Sequence, residues 1–368
     1  MRQLIYLCLS FTCLIACNKS DDNPETSGPE NETSLYFPPI TGNSWETESP
    51  ENLDWDTTQL DALYSFLETN GTRAFIVLKD GRIVFENYWG NQIIGSEPFS
   101  RESQWYWASA GKTLIAFMVG TAQEDNLLNI DNPTSDYLGT GWTSLPQADE
   151  VKITIKHQLT MTTGLDYEVA NPDCIEPSCL QFKAAPDTQW YYHNAPYTLL
   201  GHVLAEVSEG SLNEYTQNTV GNTIGIYGNW RSSGDHDVYW STAREAARFG
   251  LLLQAEGQWD DKTVLSDTDY MEALSQPSQS LNPSYGYLTW LNGQNTIRIP
   301  GFSIAFPGPL SPNAPSDLYA AMGKNGQFID VVPSKGLVVV RMGMAPDDTL
   351  VPTDFHDDLW EKLSAIIK

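Results

Sequence analysis

The sequence predicts an α+β fold in which strands from both chain ends share one antiparallel sheet around an inserted helical region. Three observations carry this. Ala74-Phe-Ile-Val-Leu78 and Ile83-Val-Phe85 form an early strand pair, and the Lys79-Asp-Gly-Arg82 link between them is a strong hairpin signal. Leu318–Met322, Phe328–Val332 and Leu337–Met342 repeat that apolar, β-rich character near the C-terminus, separated by Gly, Asn and Pro-Ser-Lys-Gly punctuation. Helical periodicity dominates between the two groups, so the end strands are expected to pair across the middle.

The elements follow in order. Arg2 and the apolar run Leu4 to Ile15 read as a signal peptide over residues 1–16. Leu14-Ile-Ala-Cys17 resembles the bacterial lipobox, where cleavage leaves Cys17 as the lipid-modified N-terminus. Asn18 to Ser49 is rich in Asp, Glu, Asn, Ser, Thr and Pro, so residues 17–50 are expected to be a lipidated cysteine followed by a flexible tether. Ser20-Asp-Asp-Asn also resembles the acidic stretch behind the lipid cysteine of surface-exported lipoproteins in some Gram-negative bacteria. The expected location is therefore the cell envelope of such a bacterium, anchored to the outer membrane by acyl chains, on its periplasmic or outer face. No later stretch approaches the ~20 apolar residues of a membrane span.

The folded domain is expected over 51–368, with α/β parts at about 51–90 and 290–368 and a helical part at about 91–289. Leu60, Leu63, Phe66 and Leu67 place a helix over Thr57–Thr69. An apolar block, Leu114, Ile115, Phe117 and Met118, anchors a second helix beginning near Ser109. Leu199–Val207 and Thr242–Leu253 are further helices, and Phe355–Ile367 closes the chain with Leu359, Leu363 and Ile366 on one side.

A formal net charge of −27 disfavours nucleic acid as a partner, because phosphate binding needs clustered Lys and Arg. If Cys8 and Cys13 leave with the signal, Cys174 and Cys179 remain, and in an oxidising envelope they read as a small disulfide loop. Closing so short a loop contributes roughly 2 kcal/mol in the chain-entropy model.

Three short motifs carry chemistry. In Trp105-Tyr-Trp-Ala-Ser109-Ala-Gly-Lys112, a serine stands one helical turn before a lysine, and a desolvated lysine can serve as the base that activates a serine. Tyr192-His-Asn194 offers a phenol for proton relay and a carboxamide for orientation; Tyr227-Gly-Asn229 has the same pattern. Lys324-Asn-Gly326-Gln327 can bring a cation and a backbone N–H to a reacting carbonyl, although Lys79-Asp-Gly81 shows that such a triplet is also a plain turn.

Their order resembles that of the class C serine β-lactamases and the related penicillin-recognising serine hydrolases. His157-Gln-Leu-Thr-Met-Thr-Thr-Gly-Leu165, Tyr192-His-Asn-Ala-Pro-Tyr-Thr-Leu-Leu-Gly201 and Ser241-Thr-Ala-Arg-Glu-Ala-Ala-Arg-Phe-Gly-Leu-Leu-Leu253 resemble further family segments, and the second favours Tyr192 over Tyr227. Tyr285-Gly-Tyr-Leu-Thr-Trp290 is similar to the esterase and 6-aminohexanoate-dimer-hydrolase branch. The resemblance implies a β-lactamase/transpeptidase-like fold with no metal or organic cofactor, acting on a small-molecule ester or amide. It implies Ser109 as the acylated nucleophile, Lys112 as its base, Tyr192 as proton relay and Asn194 as the group orienting Lys112. The N–H groups of Ser109 and Gln327 would form the oxyanion hole, and Lys324 would supply positive potential that eases deprotonation of Lys112 and Tyr192.

Departures bear on substrate. Asn325 stands where lactamases carry threonine, and His193 replaces the usual serine between Tyr192 and Asn194. A β-lactamase or D-amino-acid peptidase is the alternative activity, and a non-catalytic peptidoglycan-binding envelope protein the alternative class. The chain has no Ser-Asp-Asn triplet and no Gly-x-Ser-x-Gly elbow, which argues against class A lactamases and α/β-hydrolases.

Overall fold

A computed structural model describes residues 35–367. The signal segment and Cys17 lie outside the described residues. The chain first runs through helix α1 (Leu60–Thr69), then strands β1 (Thr72–Lys79) and β2 (Arg82–Tyr88). Asp80 and Gly81 make the two-residue link, both at positive φ (48° and 83°), as tight hairpins with right-handed strand twist require. A short strand β3 (Gln104–Tyr106) leads into helix α2 (Gly111–Glu124), and helix α3 (Asn194–Val207) follows after a long irregular stretch. Strands β4 (Asn229–Ser233) and β5 (His236–Thr242) precede helix α4 (Ala243–Gln254). Strands β6 (Trp290–Leu291), β7 (Tyr319–Gly323), β8 (Gln327–Val332) and β9 (Leu337–Gly343) and helix α5 (Thr353–Ser364) complete the chain.

The main sheet has six strands in the order β2-β1-β9-β8-β7-β6, all antiparallel, so strands from the two chain ends meet at β1 and β9. This is the expected α+β arrangement. Strands β8 and β9 are buried along their whole length, so both faces of the sheet are covered. Helix α4 covers one face. A Cβ at Gly250 would stand 2.4 Å from Val338 Cγ1 and 2.9 Å from Ile329 Cγ2, so glycine permits that close approach. Helices α1 and α5 pack against each other, where Phe66 stacks on Phe355 with ring centroids 5.3 Å apart.

Three expectations need correction. The tether does not extend to Ser49: Trp45 is buried, its Nε1 donates to Gly81 O at 2.7 Å, and Tyr36 N donates to Asp80 O at 3.0 Å. Tyr36, Phe37 and Trp45 supply the apolar surface that the polar average of this stretch conceals. The inserted region is not wholly helical either. It holds a three-stranded sheet, β3-β5-β4, pairing Tyr106 with Trp240. Its strands are short and their apolar residues are mostly aromatic, of which Tyr106 and Trp240 line the cavity, so no long alternation marks them. Helix α3 begins at Asn194 rather than Leu199. Pro196 falls in its first turn, where N–H groups lack intrahelical partners and proline is tolerated.

Candidate active site

The turn that carries Ser109 is fixed by hydrogen bonds to β5. Trp107 N donates to Tyr239 O at 2.8 Å and Trp107 Nε1 to Ser241 Oγ at 2.8 Å, fixing the chain as it leaves β3. Ala108 then takes a left-handed φ of 49°, a conformation costing an L-residue about 1 kcal/mol. Ser109 follows in a short 3-10 turn that runs into α2, and Gly111–Ala122 of that helix is buried throughout. Gly323, the last residue of β7, backs onto this turn. A Cβ there would lie 2.4 Å from Trp107 O and 3.0 Å from Ser109 N, so only glycine lets the sheet edge meet the serine.

Lys112 Nζ lies 3.1 Å from Ser109 Oγ and 2.9 Å from Asn194 Oδ1. It sits 4.0 Å from the centre of the Tyr197 ring and 4.9 Å from that of Tyr192, and its residue is only 3 % exposed. Burial pulls its pKa down to about 7, partly opposed by the negative charge of Asp173. A neutral amine at that pH can accept the serine proton while donating to Asn194. Asn194 Nδ2 in turn donates to Asp173 Oδ1 at 2.7 Å.

Tyr192 stacks on Trp290 at 5.7 Å and meets Tyr285 edge-on at 6.2 Å. Its buried hydroxyl has no well-formed hydrogen bond in this state, although Ser109 stands beside it and lowers its pKa slightly. The expected depression of the Tyr192 pKa is not what the surroundings produce. Desolvation dominates and raises it, so the phenol stays protonated at neutral pH. Nor does Lys324 account for the low pKa of Lys112, whose cause is burial. His193 is buried and does not line the cavity, and burial lowers its pKa to about 4, so it carries no charge near neutrality.

Ser109, Lys112, Tyr192, Asn194 and Lys324 line one cavity of about 720 Å³, together with Asp173, Tyr197, Tyr106, Val238 and Trp240. A wider groove of about 1000 Å³ shares Tyr197 and Asp237 with it but contains none of the motif residues. Gly326 and Gln327 do not line the catalytic cavity. Gln327 faces Gly323 across the hairpin, with its Nε2 donating to Gly343 O at 2.7 Å, and Gly326 packs against Arg341. The strand edge beside Ser109 N is Gly323, and the Gln327 N–H expected for the oxyanion hole is not among the groups lining the cavity. The hairpin is braced behind the cavity: Arg341 donates to Asn325 O at 2.6 Å and Gly326 O at 2.9 Å. Asn325 Nδ2 donates to Tyr106 Oη at 2.7 Å, which ties the hairpin to β3.

Sequence reasoning missed Asp173, Tyr197 and Trp240. Tyr197 was discoverable, since it lies three residues after Asn194 and one helical turn along once α3 starts at Asn194. Asp173 and Trp240 reach the site through tertiary packing. Cys174 and Cys179 are bonded as expected. Among the described residues, no group of three or more His, Cys, Asp or Glu side chains converges as metal ligands. No helix among them is long and apolar enough to cross a membrane.

The β-lactamase family model matches residues 70–348, which hold the whole constellation. Among curated proteins, an uncharacterized protein of Alkalihalophilus pseudofirmus is 24% identical over 305 residues, covering 75% of this chain and 84% of that protein. The structure resembles the "Putative 6-aminohexanoate-dimer hydrolase from Bacillus anthracis" with TM-score 0.65 and 16% identity, covering 91% of each chain. It also resembles a penicillin-binding protein homologue from Caulobacter crescentus with TM-score 0.64 and 13% identity, covering 84% of this chain and 97% of that one. At such identities these structures speak for the fold alone, which is β-lactamase/transpeptidase-like. Family match, fold and the gathering of Ser109, Lys112 and Tyr192 around one cavity agree: the chain belongs to the β-lactamase family of hydrolases.

Proposed function

We propose that this hydrolase cleaves a small ester or amide through an acyl-enzyme on Ser109. The observation that carries the reading is Lys112 Nζ, 3.1 Å from Ser109 Oγ and brought by burial to a pKa of about 7. A lysine in that state is a base matched to neutral pH. As Ser109 Oγ bonds to the substrate carbonyl carbon, its proton passes to Lys112 Nζ. The carbonyl oxygen takes the negative charge, facing the N–H of Ser109 and the strand edge at Gly323; each such donor is worth about 3 kcal/mol in comparable sites. When the bond to the leaving group breaks, Tyr192 Oη gives that group a proton and regains one from Lys112. Water then attacks the acyl carbon and passes a proton to Lys112 by the same route; the Ser109 Oγ–acyl bond breaks, Oγ takes that proton back, and the acid leaves.

The walls support an apolar acyl part. Tyr106 and Trp240 stand three residues or one strand from Ser109, with ring centroids 5.6 Å apart, and Ile94 and Leu350 project at the mouth. Asn325 carries no hydroxyl of the kind the lactamase threonine offers, and its carboxamide N–H is committed to Tyr106. This favours esters and amides over β-lactams. The lipid anchor at Cys17 and the envelope location belong to the same proposal and rest on the sequence motif.

An active-site fluorophosphonate tests the reading. Wild type should label and hydrolyse short-chain p-nitrophenyl esters, while Ser109→Ala should do neither. Labelling that persists in Ser109→Ala would refute the assignment, and rapid turnover of a chromogenic cephalosporin would favour the lactamase alternative.

A further inference from the structure

Asp173 belongs to none of the motifs, yet it ends an unbroken chain of polar contacts that begins at the nucleophile. Ser109 Oγ is 3.1 Å from Lys112 Nζ, which is 2.9 Å from Asn194 Oδ1, and Asn194 Nδ2 is 2.7 Å from Asp173 Oδ1. A carboxylate only accepts hydrogen bonds, so Asp173 dictates which end of the Asn194 carboxamide is the NH2 end. The carboxamide oxygen must then face Lys112. Turned over, the carboxamide would set its NH2 against the lysine amine, and that donor pair would drive Nζ away from Ser109.

Asp173 is held by a loop with little regular structure, in which residues 166–188 contain only the 3-10 turn Pro177–Cys179. Its N–H donates to Asn171 Oδ1 at 3.1 Å, and Asn171 Nδ2 donates to Asp235 Oδ2 at 2.9 Å in the turn between β4 and β5. The residue after Asp173 is Cys174, bonded to Cys179. The disulfide is the one covalent restraint on this loop among the described residues, and it begins one residue from the carboxylate.

We propose that Asp173 is the positioning residue of the Ser109–Lys112 pair and that the Cys174–Cys179 disulfide holds it there, which makes acyl transfer sensitive to thiol reduction. The proposal rests on the serine-hydrolase reading above. Asp173 acts in two separable ways. Its hydrogen bond orients Asn194. Its charge favours protonated Lys112, which is otherwise faced by Ser109, Asn194 and the phenols of Tyr192 and Tyr197, while Arg231, His236, Asp237 and Lys324 line the rest of the cavity.

The test compares full-chain wild type, Asp173→Asn, Asp173→Ala and the double variant Cys174→Ser/Cys179→Ser, each with and without dithiothreitol. Ester hydrolysis is followed against pH. Removing the charge should move the acid limb of kcat/KM to lower pH by about one unit in both Asp173 variants. Asp173→Asn keeps an acceptor for Asn194 and should hold kcat within a few fold. Asp173→Ala should lower kcat about tenfold or more with KM little changed. Dithiothreitol should lower kcat of wild type to the level of the cysteine variant and leave Asp173→Ala unaffected. An unmoved acid limb, or reduction and Asp173→Ala effects that simply multiply, would overturn the proposal. NMR titration of the Lys112 amine needs no turnover. A wild type that hydrolyses neither ester nor amide and takes no fluorophosphonate label would therefore sink the hydrolase reading, while a Lys112 titration unchanged in Asp173→Asn would separately sink the role of Asp173.

Discussion

Two lysines line the same cavity in different surroundings. Lys112 projects from the buried part of α2, against two phenol rings, and is 3 % exposed. Lys324 sits exposed at the tip of the β7–β8 hairpin. The side chains are identical, and solvation separates them. Water withdrawn from Lys112 makes it a base near neutrality, whereas Lys324 keeps its hydration at the rim. Their supports differ too. Lys112 is placed by apolar packing of α2, while the Lys324 hairpin is placed from behind by the buried guanidinium of Arg341.

Breaking each side in turn sharpens the contrast. Lys112→Met should lower kcat/KM by about 10³-fold or more, because in the proposed mechanism base and nucleophile act as a unit. Lys324→Met should cost only about tenfold, since an exposed charge is screened. The surviving activity of Lys324→Met should keep its acid limb near pH 7, set by Lys112. An acid limb displaced far from pH 7 in that variant would move the base role elsewhere.

The second effect is on stability and has the opposite sign. Lys112 has its pKa lowered from 10.5 to about 7 on folding, so below pH 7 the folded chain carries a desolvated cation. Lys112→Met should raise stability there by up to about 5 kcal/mol, because a tenfold difference in proton affinity between the two states corresponds to about 1.4 kcal/mol. Between pH 7 and 10.5 the unfolded chain holds more protons than the folded one, so wild type gains stability as pH rises and the advantage of methionine shrinks. Thermal melts across this range measure the effect, and a gain constant with pH would contradict it.

Arg341→Met should destabilise by about 3 kcal/mol, because carbonyls of Asn70, Asn325, Gly326 and Met344 lose a buried donor. Urea unfolding with unchanged m-value would register it, and activity should fall alongside as the hairpin loosens. The smallest expected effect is Asn325→Ala, which removes one hydrogen bond to Tyr106 and puts alanine at a left-handed φ of 66°; it should cost about 2 kcal/mol, with kcat/KM changed a few fold. A larger kinetic loss would mean that Asn325 touches substrate.

Much of this architecture was legible beforehand. The Asp80-Gly81 hairpin, the three C-terminal strands and the closing helix appear where alternation and turn residues place them, because each pattern is local. Thr242 and Glu245 form a reciprocal capping box at the start of α4, again a signal a few residues long. Local patterns were least informative where apolar residues were sparse or aromatic. Residues 35–49 hide three anchoring rings in a polar stretch, and β3, β4 and β5 are too short to alternate convincingly. In the site, Ser109, Lys112, Tyr192 and Asn194 could be found because spacing and motif order identify them. Gln327 was misplaced because its pairing with Gly323 and its side-chain bonds to the Gly343 backbone, which point it away from the cavity, are set by strand pairing between distant residues.

The sequence by itself determined the sheet built from both chain ends, the serine–lysine pair on one helical face and the cysteine pair five residues apart. These follow from periodicity, propensity and short-range geometry. Only the tertiary structure decided that Lys112 is dry enough to be a base, that the Tyr192 phenol is pushed towards its neutral form, and that Asp173 reaches Asn194. Burial and hydrogen bonding between distant residues set those properties, and neither quantity is defined until the chain has folded around them.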